Sequence, residues 1–210
     1  MKTLLVPTDF SPASVNAMHY AAEMALTIHA SILLVHVYQV PVTISEIPVV
    51  TVSVDELQKS SEERLDELKK AVARITSGKI RIYTEAVMGE TVDELHSLCE
   101  KIDPFAVVMG THGSSGLERL VMGSTTLTAI RHLKCPVIAV PPGTTFKGIR
   151  NIGLASDFKD VIATTPIDFI KAVIREFKPS VHVLHASAQE ENNETPLESG
   201  YLETMLEGTK

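Results

Sequence analysis

Along the first two thirds of the chain, short uninterrupted apolar runs alternate with longer stretches in which apolar residues return every three or four positions. Residues 3–6 (TLLV) run into Pro7-Thr8-Asp9 and read as a buried strand. Ser11-Pro12 then opens a helix, Ser as cap and Pro in the first turn, with Val15, Met18, Ala22, Ala25 and Ile28 on one face. Residues 31–37 (SILLVHV) form a second strand, so the chain begins β-α-β and favours a right-handed crossover into a parallel sheet. Residues 40–54 are rich in Val, Ile and Thr but hold Pro41 and Pro48, which argues for an extended loop. A long helix capped by Asp55 follows to about Thr76. Leu57, Leu65, Leu68, Val72 and Ile75 form its inner stripe, and Glu62, Glu63, Arg64, Asp66, Glu67, Lys69 and Lys70 form a wet face that needs no partner. Residues 80–87 predict a third strand. Thr91 with Glu94 predicts a capping box at the next helix, and Asp103-Pro104 stops that helix. Residues 105–109 (FAVVM), 124–133 and 136–140 (PVIAV) predict strand, helix and strand. Five buried strands alternating with four helices predict a doubly wound α/β domain over residues 1–143, although spacing alone leaves the strand order open.

Beyond Pro141-Pro142-Gly143, which reads as a linker, the opening pattern returns. Residues 149–158 (IRNIGLASDF) echo residues 1–10 (MKTLLVPTDF), and Asp9-Phe10 recurs as Asp157-Phe158. Ile162, Ile167, Ile170, Val173 and Ile174 then mark an amphipathic helix, and residues 181–186 (VHVLHA) a strand. Residues 148–210 thus read as an incomplete second copy, cut short before any counterpart of strands three to five. An acidic stretch follows it, helical over 196–206 or disordered.

Composition narrows the functional classes. The 210 residues are 44% hydrophobic and 21% charged, as in globular proteins, with a formal net charge of −7. That charge, with 5% aromatics and no Trp, speaks against a phosphate-backbone footprint or a base-stacking surface, so nucleic acid is not an expected partner. No apolar run approaches the roughly 18 residues of a membrane span, and the N-terminus lacks a signal-peptide core; the expectation is a cytoplasmic protein without membrane contact. Cys99 and Cys135 follow no CxxC pattern and read as two reduced, largely buried thiols. The other histidines are scattered; His182 and His185, three apart on a strand, face opposite sides and cannot share a metal.

The chemistry concentrates between the fourth strand and the fourth helix. Gly110, Gly113 and Gly116 let the backbone turn sharply and approach a ligand. Gly123-Ser124-Thr125 offers N–H groups and hydroxyls at a helix N-terminus, where the dipole favours an anion such as phosphate. No GxxxxGK[ST] is present, and Pro-Thr-Asp stands where a dinucleotide fold needs GxGxxG. No carboxylate pair, nucleophile–base pair or metal-ligand cluster adjoins the loop, so no catalytic residue and no metal site are predicted, and His112 lacks an orienting carboxylate.

The spacing Gly110-x2-Gly113-x9-Gly123-Ser124 resembles the nucleotide-binding pattern of the universal stress protein family. The opening Val6-Pro7-Thr8-Asp9-Phe10-Ser11, the strand exit Gly110-Thr111-His112-Gly113 and the run Pro136-Val137-Ile138-Ala139-Val140 also look like that family's, covering residues 1–142 and, more faintly, 149–187. The resemblance extends to the tandem-domain type, here with a truncated second repeat. It implies a five-stranded parallel sheet in the order 3-2-1-4-5, a Rossmann-like fold similar to the adenine nucleotide alpha hydrolases. It further implies ATP or another adenine nucleotide, with or without Mg, in the crevice between strands 1 and 4. Asp9 would bond the base or ribose near Pro7 and Val37, Met109 and Gly110 would line the ribose, and Gly113, Arg119, Gly123, Ser124 and Thr125 would hold the phosphates. The expected role is that of a nucleotide sensor or regulator acting through dimerisation or partner contacts, with at most slow ATP hydrolysis. An adenylate-forming enzyme and an interaction protein without nucleotide are the alternatives. The apolar fifth strand, at a sheet edge, would seek a partner and favour a homodimer.

Overall fold

Leu4, Leu5, Val6, Ile32, Leu34, Val35, Val107 and Val108 have almost no accessible surface, so both faces of the central strands must be covered. A parallel sheet with helices on either side provides this cover. In the computed structural model, which describes residues 2–40, 53–111, 122–156 and 165–184, the strands are β1 (Thr3–Pro7), β2 (Ser31–Tyr38), β3 (Ile82–Met88), β4 (Ala106–Gly110) and β5 (Val137–Val140). The helices are α1 (Pro12–Ile28), α2 (Val54–Ile75), α3 (Thr91–Ile102) and α4 (Ser124–His132). All strand pairs are parallel and their order is β3-β2-β1-β4-β5, as the resemblance implied. Helix α1 packs beside α2, and α3 beside α4, one pair to each face.

Strand periodicity sorts the core between the two faces. Leu5, Leu33, Val35, Val107 and Met109 pack with Leu95, Leu98 and Cys99 of α3 and Ala129 of α4. The alternate residues, Leu4, Val6, Ile32 and Leu34, therefore face α1, whose Ala17, Met18, Ala21 and Ala25 are fully buried. The two-sided burial explains the absence of apolar–polar alternation in these strands.

Residues 141–146 turn back onto α1. Asn16 Nδ2 donates to the carbonyls of Pro141 and Thr144, and Phe146 meets Tyr20 edge to face at 5.2 Å. The stretch expected to act as a linker is thus docked, and the chain divides into compact units at 1–146 and 147–210. The second unit contains β6 (Asn151–Ala155), α5 (Ile167–Phe177) and β7 (Ser180–Leu184), with β6 and β7 parallel and Ile170, Val173 and Ile174 of α5 buried.

Three local expectations need correction. Helix α2 starts at Val54 rather than after Asp55. Its cap is Ser53, in a capping box with Glu56; the hydroxyl two positions earlier out-competes Asp55, which sits in the first turn where the dipole favours an acid. The capping box expected of Thr91 and Glu94 does not form: Glu90 is the cap, Thr91 the first helical residue, and no side chain bonds the helix start. The Glu94 carboxylate instead folds over Gly89, where a Cβ would lie 2.5 Å from Oε1. Finally, Cys99 and Cys135 are not separate thiols but a disulfide, Cα atoms 6.2 Å apart. The last turns of α3 end beside the start of β5, a crossing that a separation of 36 residues does not reveal. Lys134 Nζ and Glu100 Oε1, 3.1 Å apart, span the same crossing. The extended loop expected over 40–54, Asp157 and the acidic stretch after 184 lie wholly or mainly outside the described residues.

Candidate functional site

The site begins where β1 ends. Thr8 N–H donates to the Val35 carbonyl at 2.8 Å, so β1 follows β2 for one residue beyond its ladder and then turns. Phe10 takes the left-handed conformation (φ 63°), and its N–H donates to Thr8 Oγ1 at 3.0 Å. Ser11 caps α1 by accepting from Ser14 N–H, and Ser14 Oγ lies 3.0 Å from Thr8 Oγ1. Thr8, Ser11 and Ser14 are all buried, so this knot of hydroxyls satisfies itself within the turn. It delivers Asp9 to the rim, where Oδ1 accepts from Ser11 N–H at 3.0 Å. Burial pushes the Asp9 carboxyl up, but hydrogen bonds from the hydroxyl and N–H of Ser11, the Ser14 hydroxyl and its own backbone outweigh it and hold the group below the ordinary 3.8. Asp9 is therefore an anionic acceptor at neutral pH.

The opposite wall begins where β4 ends. The sheet order makes β1 and β4 neighbours whose connections leave in opposite directions, which opens a crevice at their C-terminal ends. Gly110 is forced by packing: a Cβ there would lie 2.7 Å from the Ala13 carbonyl oxygen of α1. Thr126, buried in the first turn of α4, donates its hydroxyl to the Gly110 carbonyl at 2.7 Å. Gly123 N–H donates to the Thr111 carbonyl, which ties together the two described ends of the glycine-rich segment. Helix α4 begins at Ser124 with Gly123 as cap, and among the described residues no side chain caps it. Ser124 and Thr125 are exposed there, beside the positive end of the helix dipole.

Between the walls lies a cavity of about 300 Å³. Of the residues singled out from sequence, Pro7, Asp9, Val37, Met109, Gly110, Gly123, Ser124 and Thr125 all line it. Gly113, Arg119 and His112 lie outside the described residues. Sequence reasoning missed Thr8, Ser14, Val35, Thr91 and Thr126. Val35 was recoverable, because it shares the strand face of Val37. Thr91 carried no local signal; only the packing of α3 beside α4 brings it to the crevice. A second cavity shares Thr91, Ser124 and Thr125 and continues to Glu90, Asp93 and Gln39, whose amide donates to Glu90 at 2.8 Å. Among the described residues, no three His, Cys, Asp or Glu side chains are grouped to hold a metal, and no helix is long and apolar enough to cross a membrane.

This crevice has two chemically distinct ends on one apolar floor. A carboxylate that accepts hydrogen bonds stands at the β1 exit, and a helix start capped by a glycine, with N–H groups to donate, stands beyond β4. It suits a ligand with amine or hydroxyl donors at one end and an anion at the other.

The comparisons with known proteins agree with this architecture. The sequence pattern described as the universal stress protein family matches residues 1–141, and the chain belongs to that family. Universal stress protein MJ0531 of Methanocaldococcus jannaschii is 31% identical over 146 residues, covering 66% of this chain and 81% of that protein. A universal stress protein structure from Archaeoglobus fulgidus has a TM-score of 0.69 at 20% identity over 97% of this chain and 71% of that one. A universal stress protein in complex with cAMP has a TM-score of 0.50 at 21% identity over 68% of this chain and 98% of that one.

Proposed function

We propose that the crevice between β1 and β4 binds an adenine nucleotide, ATP by sequence motif, and that the protein acts as a nucleotide-responsive regulator in the stress response. The observation that carries this reading is the pairing, in one cavity, of the Asp9 carboxylate with the glycine-capped N-terminus of α4. Asp9 accepts from the base amine or a ribose hydroxyl, and Val37 and Met109 supply the apolar floor on which a purine rests. The ribose lies along Gly110, where the missing Cβ allows close approach. Ser124, Thr125 and the first N–H groups of α4 take the phosphates, together with Gly113 and Arg119. A bound cation would sit on the phosphates. The related protein in complex with cAMP adds support from the family.

The output of such a module is contact with another molecule. β5 is an edge strand whose Val137, Ile138 and Ala139 are half-buried, suited to pairing with a second copy. Residues 148–210 begin a second copy of the family domain, a reading supported by the Asp9-Phe10 echo and the β-α-β connectivity of β6, α5 and β7. Release of ligand from freshly purified, denatured protein, followed by mass spectrometry, tests the central claim. An adenine nucleotide near one equivalent per chain is expected. Absence of any nucleotide, with no binding of added ATP, AMP or cAMP in calorimetry, refutes it.

A further inference from the structure

The turn that carries Asp9 is braced from the far side of the sheet. Phe10 holds a left-handed conformation that a bulky residue adopts at a cost, and contacts from outside the turn add to the hydrogen bonds within it. Its ring lies against the His36 imidazole, centroids 4.4 Å apart, and the Arg64 guanidinium carbon sits 3.8 Å from the ring centroid. His36 Nδ1 is 2.7 Å from the Thr8 carbonyl oxygen. A carbonyl only accepts, so Nδ1 carries the proton and donates. Arg64 and His36 thus both contact the Phe10 ring, and His36 fastens the group to the backbone one residue before Asp9. His36 falls between Val35 and Val37, both of which line the crevice, so it points to the opposite face of β2. Arg64 comes from the exposed face of α2, where its sequence context marks it as one more solvated charge.

We propose that Arg64 is a positioning residue for the nucleotide crevice: through Phe10 it holds the turn over residues 8–11 in the shape that aims the Asp9 carboxylate at the ligand. The inference rests on the nucleotide reading of the crevice. Arg64 lies outside the cavity lining and acts only through the turn. A guanidinium over an aromatic face at an exposed site is worth a factor of about two to five in an equilibrium constant.

The test is a double-mutant cycle in the full chain. ATP affinity is measured by calorimetry for wild type, Arg64→Ala, Asp9→Ala and the double variant, and amide hydrogen exchange is followed at Phe10 and Ser11 without ligand. Arg64→Ala is expected to weaken ATP about two- to fivefold and to speed exchange at both amides. Arg64→Lys, which keeps a cation but not the flat stack, is expected to fall between. In the Asp9→Ala background the Arg64 effect should vanish, since the carboxylate it aims is gone. An equal loss in both backgrounds overturns the inference, because Arg64 would then act by general charge or direct contact. Unchanged affinity and unchanged exchange in Arg64→Ala overturn it as well while leaving the nucleotide reading intact. A wild-type chain that binds no adenine nucleotide overturns both.

Discussion

Asp9 and Gly110 both line the crevice, and substitution acts on them differently. Asp9→Asn keeps the shape and an acceptor but loses the charge. Hydrogen bonds to charged groups contribute about 1.5–3 kcal/mol, so ATP affinity measured by calorimetry should fall about ten- to a hundredfold. The same carboxyl sets a pH dependence. Its folded pKa lies below the unfolded value, so its stabilising contribution is complete above about pH 5 and is lost as pH falls below 3.8 through the folded value. Denaturation midpoints of wild type and Asp9→Asn should therefore keep a constant gap from pH 5 to 8 and converge on acidification below 3.8. Gly110→Ala places a Cβ against the Ala13 backbone at 2.7 Å, which cannot move aside without shifting α1. A loss of about 1–3 kcal/mol in urea unfolding is expected. Gly89→Ala meets only the flexible end of Glu94 and should cost less, a contrast that separates backbone clash from side-chain crowding.

Elements α3, β4, α4 and β5 are coupled by one covalent link. The Cys99–Cys135 disulfide encloses β4, the glycine-rich segment and α4, so the β4–α4 wall of the crevice lies within its loop. Closing a loop of 36 residues stabilises by roughly 3–4 kcal/mol on chain-entropy grounds. Adding a thiol reductant should lower the melting temperature of wild type and leave a Cys99→Ser/Cys135→Ser variant unchanged. Two free thiols by mass spectrometry after alkylation without reductant would contradict the bond. The neighbouring pair of Lys134 and Glu100 is exposed and adds little, so Lys134→Ala should be close to neutral.

The whole chain consists of two compact units. The first has a sheet covered on both faces and a C-terminal stretch that ends against α1, so residues 1–146 contain every described wall of the crevice. A fragment of residues 1–146 is expected to unfold cooperatively and to bind ATP within about threefold of the full chain, a difference under 1 kcal/mol. Loss of both would mean that the second unit completes the first. The β5 edge predicts association, and light scattering over a range of concentrations should find a dimer; a strict monomer throughout counts against pairing at that edge.

Much of this was written in local patterns. Buried strands at residues 3–6, 31–37 and 105–109 appear as apolar runs because a parallel sheet buries both faces, and Ser11-Pro12 announces α1 because the first turn of a helix has particular donors to satisfy. Gly123 could be picked out for the same reason, as a helix start, whereas Asp9 was marked as a site residue by the family resemblance and Gly110 proves to be required by packing against Ala13. Long-range partnership left no such mark. No spacing tells that α3 ends beside β5 and joins Cys99 to Cys135, that Thr91 reaches the crevice, or that Arg64 on a charged helix face covers Phe10. Each of these depends on which surfaces the packed helices bring together, and a side chain looks the same in the sequence whether it meets water or a residue fifty positions away.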